Sequence, residues 1–207
     1  MDKQAQLDAI DRQVDTRQRD EGEAKAIVLS QVFDTYIDDA WEACTRADRI
    51  AEWFLPITGE LELGGTYQLE GNAGGTIEAC DEPNAFAATW EFNGQVSWIE
   101  VRLRRVDGDQ TRFELVHLAP DDDHWAQFGP GAAGVGWDMA MGGLAEYLAT
   151  GEAPDKEAAM AWMASEDGKA YIAQSSRRWR EAHIASGADA DAARKAAERT
   201  VAIYTGG

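Results

Sequence analysis

The chain has 207 residues, with 38 Asp and Glu against 19 Lys and Arg, for a formal net charge of −19 at pH 7. A field of that sign repels phosphate backbones and anionic bilayers, which argues against nucleic acid and membrane surfaces as partners. With 44% hydrophobic residues and eight tryptophans, the chain has enough apolar mass to bury, which excludes wholesale disorder.

Residues 1–23 are acidic and lack the apolar stretch of a secretory signal, and no run of 18 apolar residues follows, so a cytoplasmic protein is expected. Cys44 and Cys80 are too few for a disulfide scaffold and fit a reducing compartment. Leu7, Ile10 and Val14 fall at helical spacing, which predicts a short amphipathic helical segment over 1–23, ended by the charged run at 19–23. Residues 25–36 are β-branched and read as a strand. Residues 38–54 change to a helical period through Ala40, Cys44, Ala47, Ile50 and Phe54, with an acidic start. Six strand candidates follow at 57–63, 66–71, 76–81, 85–92, 96–106 and 111–118. Asn93-Gly94 and Asp107-Gly108 between them are hairpin signals, and consecutive hairpins predict an antiparallel meander.

Residues 119–131 read as irregular. A helix is expected over 132–150, with Trp137, Met141, Leu144 and Leu148 on one stripe. Its glycines, Gly134, Gly136, Gly142 and Gly143, imply either close approach of another part of the chain or a late helix start. The tail reads as three helices: 155–164, 168–186 closed by Gly187, and a last one opened by Asp189 as N-cap. The acidity is concentrated in the middle, where residues 24–150 hold 22 acids and seven bases.

The order of several short motifs carries a resemblance. They are Trp53-Phe54 after the helical stretch, Leu63-Gly64-Gly65-Thr66-Tyr67, Gly75-Thr76-Ile77-Glu78, and Glu82-Pro83 followed by Thr89-Trp90. Thr111-Arg112-Phe113 with His117, and Gly136-Trp137, complete the set. Residues 25–150 thereby resemble the START/Bet v 1-like (SRPBCC) superfamily, in the branch named after the C-terminal domain of the activator of Hsp90 ATPase. The resemblance implies an α+β helix-grip fold, an antiparallel meander sheet wrapped around a long C-terminal helix with a cavity between them. The organisation expected is an N-terminal helical segment (1–23), the helix-grip domain (24–150) and a helical C-terminal extension (151–207). Relatives in the superfamily bind lipids, steroids or hormones, cyclise polyketides, or act with chaperones, so fold alone selects no function.

Strand alternation sorts the faces. Phe86, Ala88, Trp90 and Phe92 share one face, as do Ile99, Val101 and Leu103, then Phe113, Leu115 and His117, and also Tyr67 and Leu69. With Trp41, Trp53, Phe54, Trp137 and Met141 they form the candidate lining. Such a set either fills a core or surrounds a pocket for a hydrophobic, planar guest. His117 could hydrogen-bond a ligand carbonyl or act as a general base; alternatively it is tied to a backbone carbonyl at a sheet edge. Tyr67 carries a similar pair of readings. Asp121-Asp122-Asp123-His124 lacks metal-loop spacing and reads as a solvated acidic loop or, with Trp125 and Phe128, a lid. Residues 71–75 join two strands, which argues against a phosphate loop. Both cysteines read as small buried hydrophobes. Arg177-Arg178-Trp179-Arg180 reads as a solvated helix face, or as a dock onto the acidic domain or a partner.

The expectation is a binding protein for an apolar small molecule rather than an enzyme, with no cofactor, no metal and no catalytic set. The alternatives are a chaperone-associated interaction module and a cyclase- or hydrolase-like enzyme using the same cavity. A second copy of the chain or a chaperone is the expected protein contact.

Overall fold

The computed structural model describes residues 2–19 and 22–206. After α1 (Lys3–Asp8), capped by the Asp2 carboxylate, the chain enters β1 (Asp11–Arg19) and β2 (Gly22–Phe33). Two short helices, α2 (Ile37–Thr45) and α3 (Ala47–Trp53), lead into β3 (Ile57–Gly59), β4 (Thr66–Leu69), β5 (Gly74–Asp81), β6 (Ala85–Phe92), β7 (Gln95–Arg105) and β8 (Thr111–Pro120). The sheet runs β1-β2-β8-β7-β6-β5-β4-β3 and is antiparallel throughout. Then come α4 (Asp123–Phe128), the long α5 (Gly131–Thr150), α6 (Lys156–Ala164), α7 (Glu166–Ala185) and α8 (Ala190–Thr205). This is the α+β helix-grip arrangement. No helix among the described residues is long and apolar enough to cross a membrane.

The meander strands stand where the hairpin signals put them. The N-terminal segment differs. Residues 11–19 form an edge strand, not a continuation of the helix, and pair in register with β2 from Asp11↔Ser30 to Arg19↔Gly22. Leu7 and Ile10 are buried as helical spacing requires, yet Val14 turns inward as a strand residue opposite Ile27. A polar edge strand alternates charged residues on both faces, so it lacks the apolar rhythm by which strands are recognised. Of the run expected to end this segment, residues 20 and 21 lie outside the described residues. Residues 119–131 are likewise not irregular: β8 extends to Pro120, and Asp122 caps α4 through its carboxylate and the Trp125 N–H.

The concave face of the sheet buries Leu29, Val101, Leu103, Phe113 and Leu115 against Trp41 of α2 and against Trp137, Met141 and Leu144 of α5. The opposite face has a small core of its own, made by Ala24, Ala26, Val116 and Leu118 beside Trp98.

The tail helices are packed onto the body. Trp179 of α7 is fully buried and Arg178 pairs with Asp8, so the Arg177–Arg180 stretch docks on the body through these two residues while Arg177 stays exposed. Gly134 is what lets α7 approach: a Cβ there would sit 2.4 Å from the Trp179 ring. Gly143 plays the same part at the other end of α5, where a Cβ would lie 2.7 Å from the Trp53 carbonyl oxygen. Close approach is thus the reason for these glycines, and the helix starts early, at Gly131. Gly134→Ala is expected to cost about 1–3 kcal/mol, because overpacking outweighs the gain in helix propensity of about 1 kcal/mol. Gly142→Ala, where a Cβ meets nothing, is expected to stabilise instead. Urea denaturation of the two variants beside the parent measures both signs.

Candidate functional site

Strand alternation brings Phe86, Ala88 and Trp90 of β6, Ile99 and Val101 of β7, and Phe113 and Leu115 of β8 to one concave surface. Trp41 and Trp53 arrive from α2 and α3, Phe54 from the residue after α3, Trp137 from α5, and Tyr67 and Leu69 from β4. These residues surround a cavity of about 590 Å³. Four expected residues are not in that lining. Leu103 and Met141 are packed into the core, and His117 faces a separate, smaller cleft of about 180 Å³. Phe92, expected to point inward, sits at the β6–β7 hairpin tip and is 45% exposed. The lining also takes in Ile50, Ile57, Leu61, Leu63 and Ile77. Ile57 comes from the short β3 and Ile77 from the bulged part of β5, where alternation gives no clear face, while Leu61 and Leu63 lie in the connection from β3 to β4 and Ile50 on α3. A run of β-branched and leucine residues around the Gly-Gly turn was the available signal.

The walls are aromatic. Trp53 stacks on Phe54 at 5.4 Å between centroids, Phe54 on Trp137 at 6.0 Å, and Trp137 meets Trp90 at 5.0 Å; Trp41 lies edge-on to Phe86 at 6.0 Å. Two polar tips among the lining rings are tied back into the wall. The Trp53 indole N–H donates to the Ala43 carbonyl at 2.8 Å, and the Tyr67 hydroxyl donates to the Thr89 carbonyl at 2.7 Å. Ring faces and edges are therefore what a guest would meet. Charged groups are confined to the lining contributed by Glu42, Arg46, Glu62 and Glu82.

His117 is on an interior strand, since β8 lies between β2 and β7. Its partners are side chains, not a backbone carbonyl. The Trp137 indole N–H donates to Nδ1 at 2.9 Å, and Nε2 lies 2.9 Å from Ser97 Oγ. An indole N–H can only donate, so Nδ1 is an acceptor and the proton resides on Nε2. The Ser97 hydroxyl then accepts from Nε2 and donates to the Trp90 carbonyl at 3.0 Å. Ser97 and His117 are thus spaced like a nucleophile and its base but polarised the wrong way round, because the base nitrogen already carries the proton. Burial lowers the His117 pKa to about 4, so the ring stays neutral near pH 7.

Other ionisable groups near the cavity are equally quiet. Burial raises the pKa of Tyr67, helped by Glu91. Burial pushes the Cys44 thiol up to about 12, which keeps it protonated and unreactive. Cys80, expected to be buried, is exposed, yet it too contributes to the cavity lining. In the acidic run, Asp122 serves as a helix cap and Asp121 pairs with Lys25 at 3.1 Å. Among the described residues no group of three or more His, Cys, Asp or Glu is arranged to hold a metal ion.

No curated protein matches the chain. Among solved structures, CalU16 from Micromonospora echinospora is 29% identical. Its solution structure superposes with a TM-score of 0.72 over 86% of this chain and 97% of CalU16, and its crystal structure with 0.68 over 84% and 98%. A conserved protein of unknown function from Enterococcus faecalis, EF2215, is 16% identical and shares the fold, with a TM-score of 0.59 over 84% of this chain and 92% of its own. Residues 34–149 match the family described as "Activator of Hsp90 ATPase homolog 1-like protein", and the likeness to CalU16 reaches into the segments that flank this stretch. With a match over more than half its length and the helix-grip fold to go with it, the chain belongs to the Activator of Hsp90 ATPase homolog 1-like family, a branch of the START/Bet v 1-like superfamily.

Proposed function

We propose that the protein binds an apolar, largely planar small molecule in the cavity between the sheet and α5. The observation that carries this reading is the open space itself, about 590 Å³ walled by aromatic and aliphatic side chains. Small-molecule sites are typically about 300–1,000 Å³, apolar, with few polar groups. Binding is favoured over catalysis because the one histidine nearby has both ring nitrogens engaged and belongs to a different cleft. The family name alone supports a chaperone contact.

Trp41, Trp53, Trp90 and Trp137 all line the cavity, so a guest should be read in the protein's own fluorescence. Titration with a panel of polycyclic aromatic compounds and long-chain acids is expected to quench tryptophan emission and raise Tm. At a ligand concentration 100 times Kd the stabilisation is about 2.7 kcal/mol. Ala88→Phe, which fills the space from the β6 wall, should abolish the shift while the apo protein still unfolds cooperatively. If no compound in the panel quenches or stabilises the parent protein, the cavity is not a binding site for this class.

A further inference from the structure

A second groove lies on the other side of the Trp53–Phe54 pair, outside the helix-grip cavity. It has a volume of about 560 Å³ and is floored by α5 and roofed by α6, with α1, α7 and residues 52–56 closing its sides. None of the nine residues of helix α6 is buried. A helix of that length has little stability of its own and needs an apolar face against something. Its candidates for that face are Met160, 65% exposed, Met163, 39% exposed, and Trp162, and all three line the groove. Across from them stand Met139 of α5 and Tyr171 of α7. Methionine and aromatic side chains form an adaptable apolar surface that also tolerates a cation against its rings.

The charges at the groove are the second observation. Glu52, Glu70 and Glu146 all line it, and among the described residues no ion pair or side-chain hydrogen bond engages their carboxylates. Two lysines also line the groove, so its lining carries three carboxylates and two ammonium groups, and each lysine has a contact of its own. Lys3 sits over the Trp162 ring at 4.9 Å, and Lys156 lies 3.5 Å from the Ala51 carbonyl oxygen. Three carboxylates without an ion pair, beside the exposed Met160 and Met163, complement a molecule with an ammonium group and an apolar body.

We infer that the groove beneath α6 is a second ligand site, distinct from the helix-grip cavity, that takes an apolar amine. The ring or chain of the amine lies between Met139 and the Met160–Met163 face, where it covers α6, and its ammonium group faces the glutamates. The site is independent of the cavity reading above, and either can fail alone.

Methionine supplies the test. Met139, Met160 and Met163 line the groove, whereas Met141 is in the core and lines neither the groove nor the cavity. Full-length protein labelled at the methionine methyls is titrated with naphthylethylamine, naphthylethanol and naphthylacetate and followed by NMR. Expected are saturable shifts of the three groove methyls with Met141 unmoved, and affinity for the amine about tenfold or more above that for the carboxylate, the scale of a few partly exposed ion pairs. The triple variant Glu52→Gln, Glu70→Gln, Glu146→Gln should lose that factor for the amine and keep its affinity for the alcohol. Met160→Lys, at an exposed position, should expel the amine without disturbing the fold. Groove methyls that stay still up to millimolar amine, equal affinity for the carboxylate, or an unaffected triple variant would each overturn the proposal.

Discussion

Replacing Asp138 with alanine is expected to destabilise the protein by about 3–5 kcal/mol, the range for removing one partner of a buried ion pair. Asp138 is fully buried on α5, and four groups from two other elements converge on it. The Arg12 Nε of β1 donates to its carboxylate at 3.0 and 3.1 Å, the Ser175 hydroxyl at 2.6 Å and the Trp179 indole N–H at 3.1 Å, while the Tyr171 hydroxyl donates to its backbone carbonyl at 3.2 Å. Loss of the carboxylate strands a buried guanidinium that cannot shed its charge, together with a serine and an indole donor. Arg12→Met should be milder. Burial already raises the pKa of Asp138, against the opposing pull of Arg12 and the hydrogen bonds from Ser175 and Trp179. Without Arg12 the carboxyl can take up a proton in the fold. Its folded pKa then rises further above the unfolded one, so the Arg12→Met protein should gain stability relative to the parent as pH falls toward the unfolded carboxylate range. Urea denaturation at pH 7 and pH 5 gives both comparisons; equal losses for the two variants at pH 7 would mean that a stranded carboxylate costs as much here as a stranded guanidinium, against this expectation.

That network also shows why one end of the chain was legible and the other was not. The meander could be read because each hairpin announces itself within a few residues, through Asn93-Gly94 or the alternation of Phe86, Ala88 and Trp90. β1 could not. Its polar alternation suits water on both faces, and the meaning of Arg12 depends on a carboxylate 126 positions away. The same holds for Trp179 in its arginine-rich setting, whose burial depends on the missing side chain of Gly134. At the cavity, period-two alternation placed the residues of β6, β7 and most of β8, where strands are long. It overreached at Leu103, where the strand passes into the core, and at Phe92, where it runs out into a turn. His117 was put on the correct face, but orientation within a face is set by partners: Ser97 from the neighbouring strand and Trp137 from α5 turn its ring away from the main cavity.

His117 makes the protein acid-sensitive in a defined window. A histidine in the unfolded chain takes a proton near pH 6.5, whereas burial holds the folded pKa at about 4, with no charged neighbour contributing. Between those values the unfolded state binds a proton that the folded state refuses, so stability falls as pH falls from 6.5 to 4 and this contribution is flat outside the window. At about 1.36 kcal/mol per pKa unit the loss approaches ~3 kcal/mol by pH 4. The structural cost is local. A protonated Nδ1 would point a second N–H at the Trp137 indole N–H, opposing two donors across a contact now 2.9 Å long. Trp137 and Trp90 also wall the cavity, so the first effect of acid should be seen there, as a change in tryptophan emission and in the affinity of any guest. His117→Gln separates this effect from the carboxylates that titrate in both proteins. Its amide oxygen can accept from Trp137 and its amide nitrogen can donate to Ser97, but it takes up no proton. Between pH 7 and 4.5 the parent is expected to lose about 2 kcal/mol more than the variant by urea denaturation. Parallel stability profiles would show that His117 takes up its proton as readily in the folded protein as in the unfolded chain, and that the Trp137 contact does not hold the ring neutral.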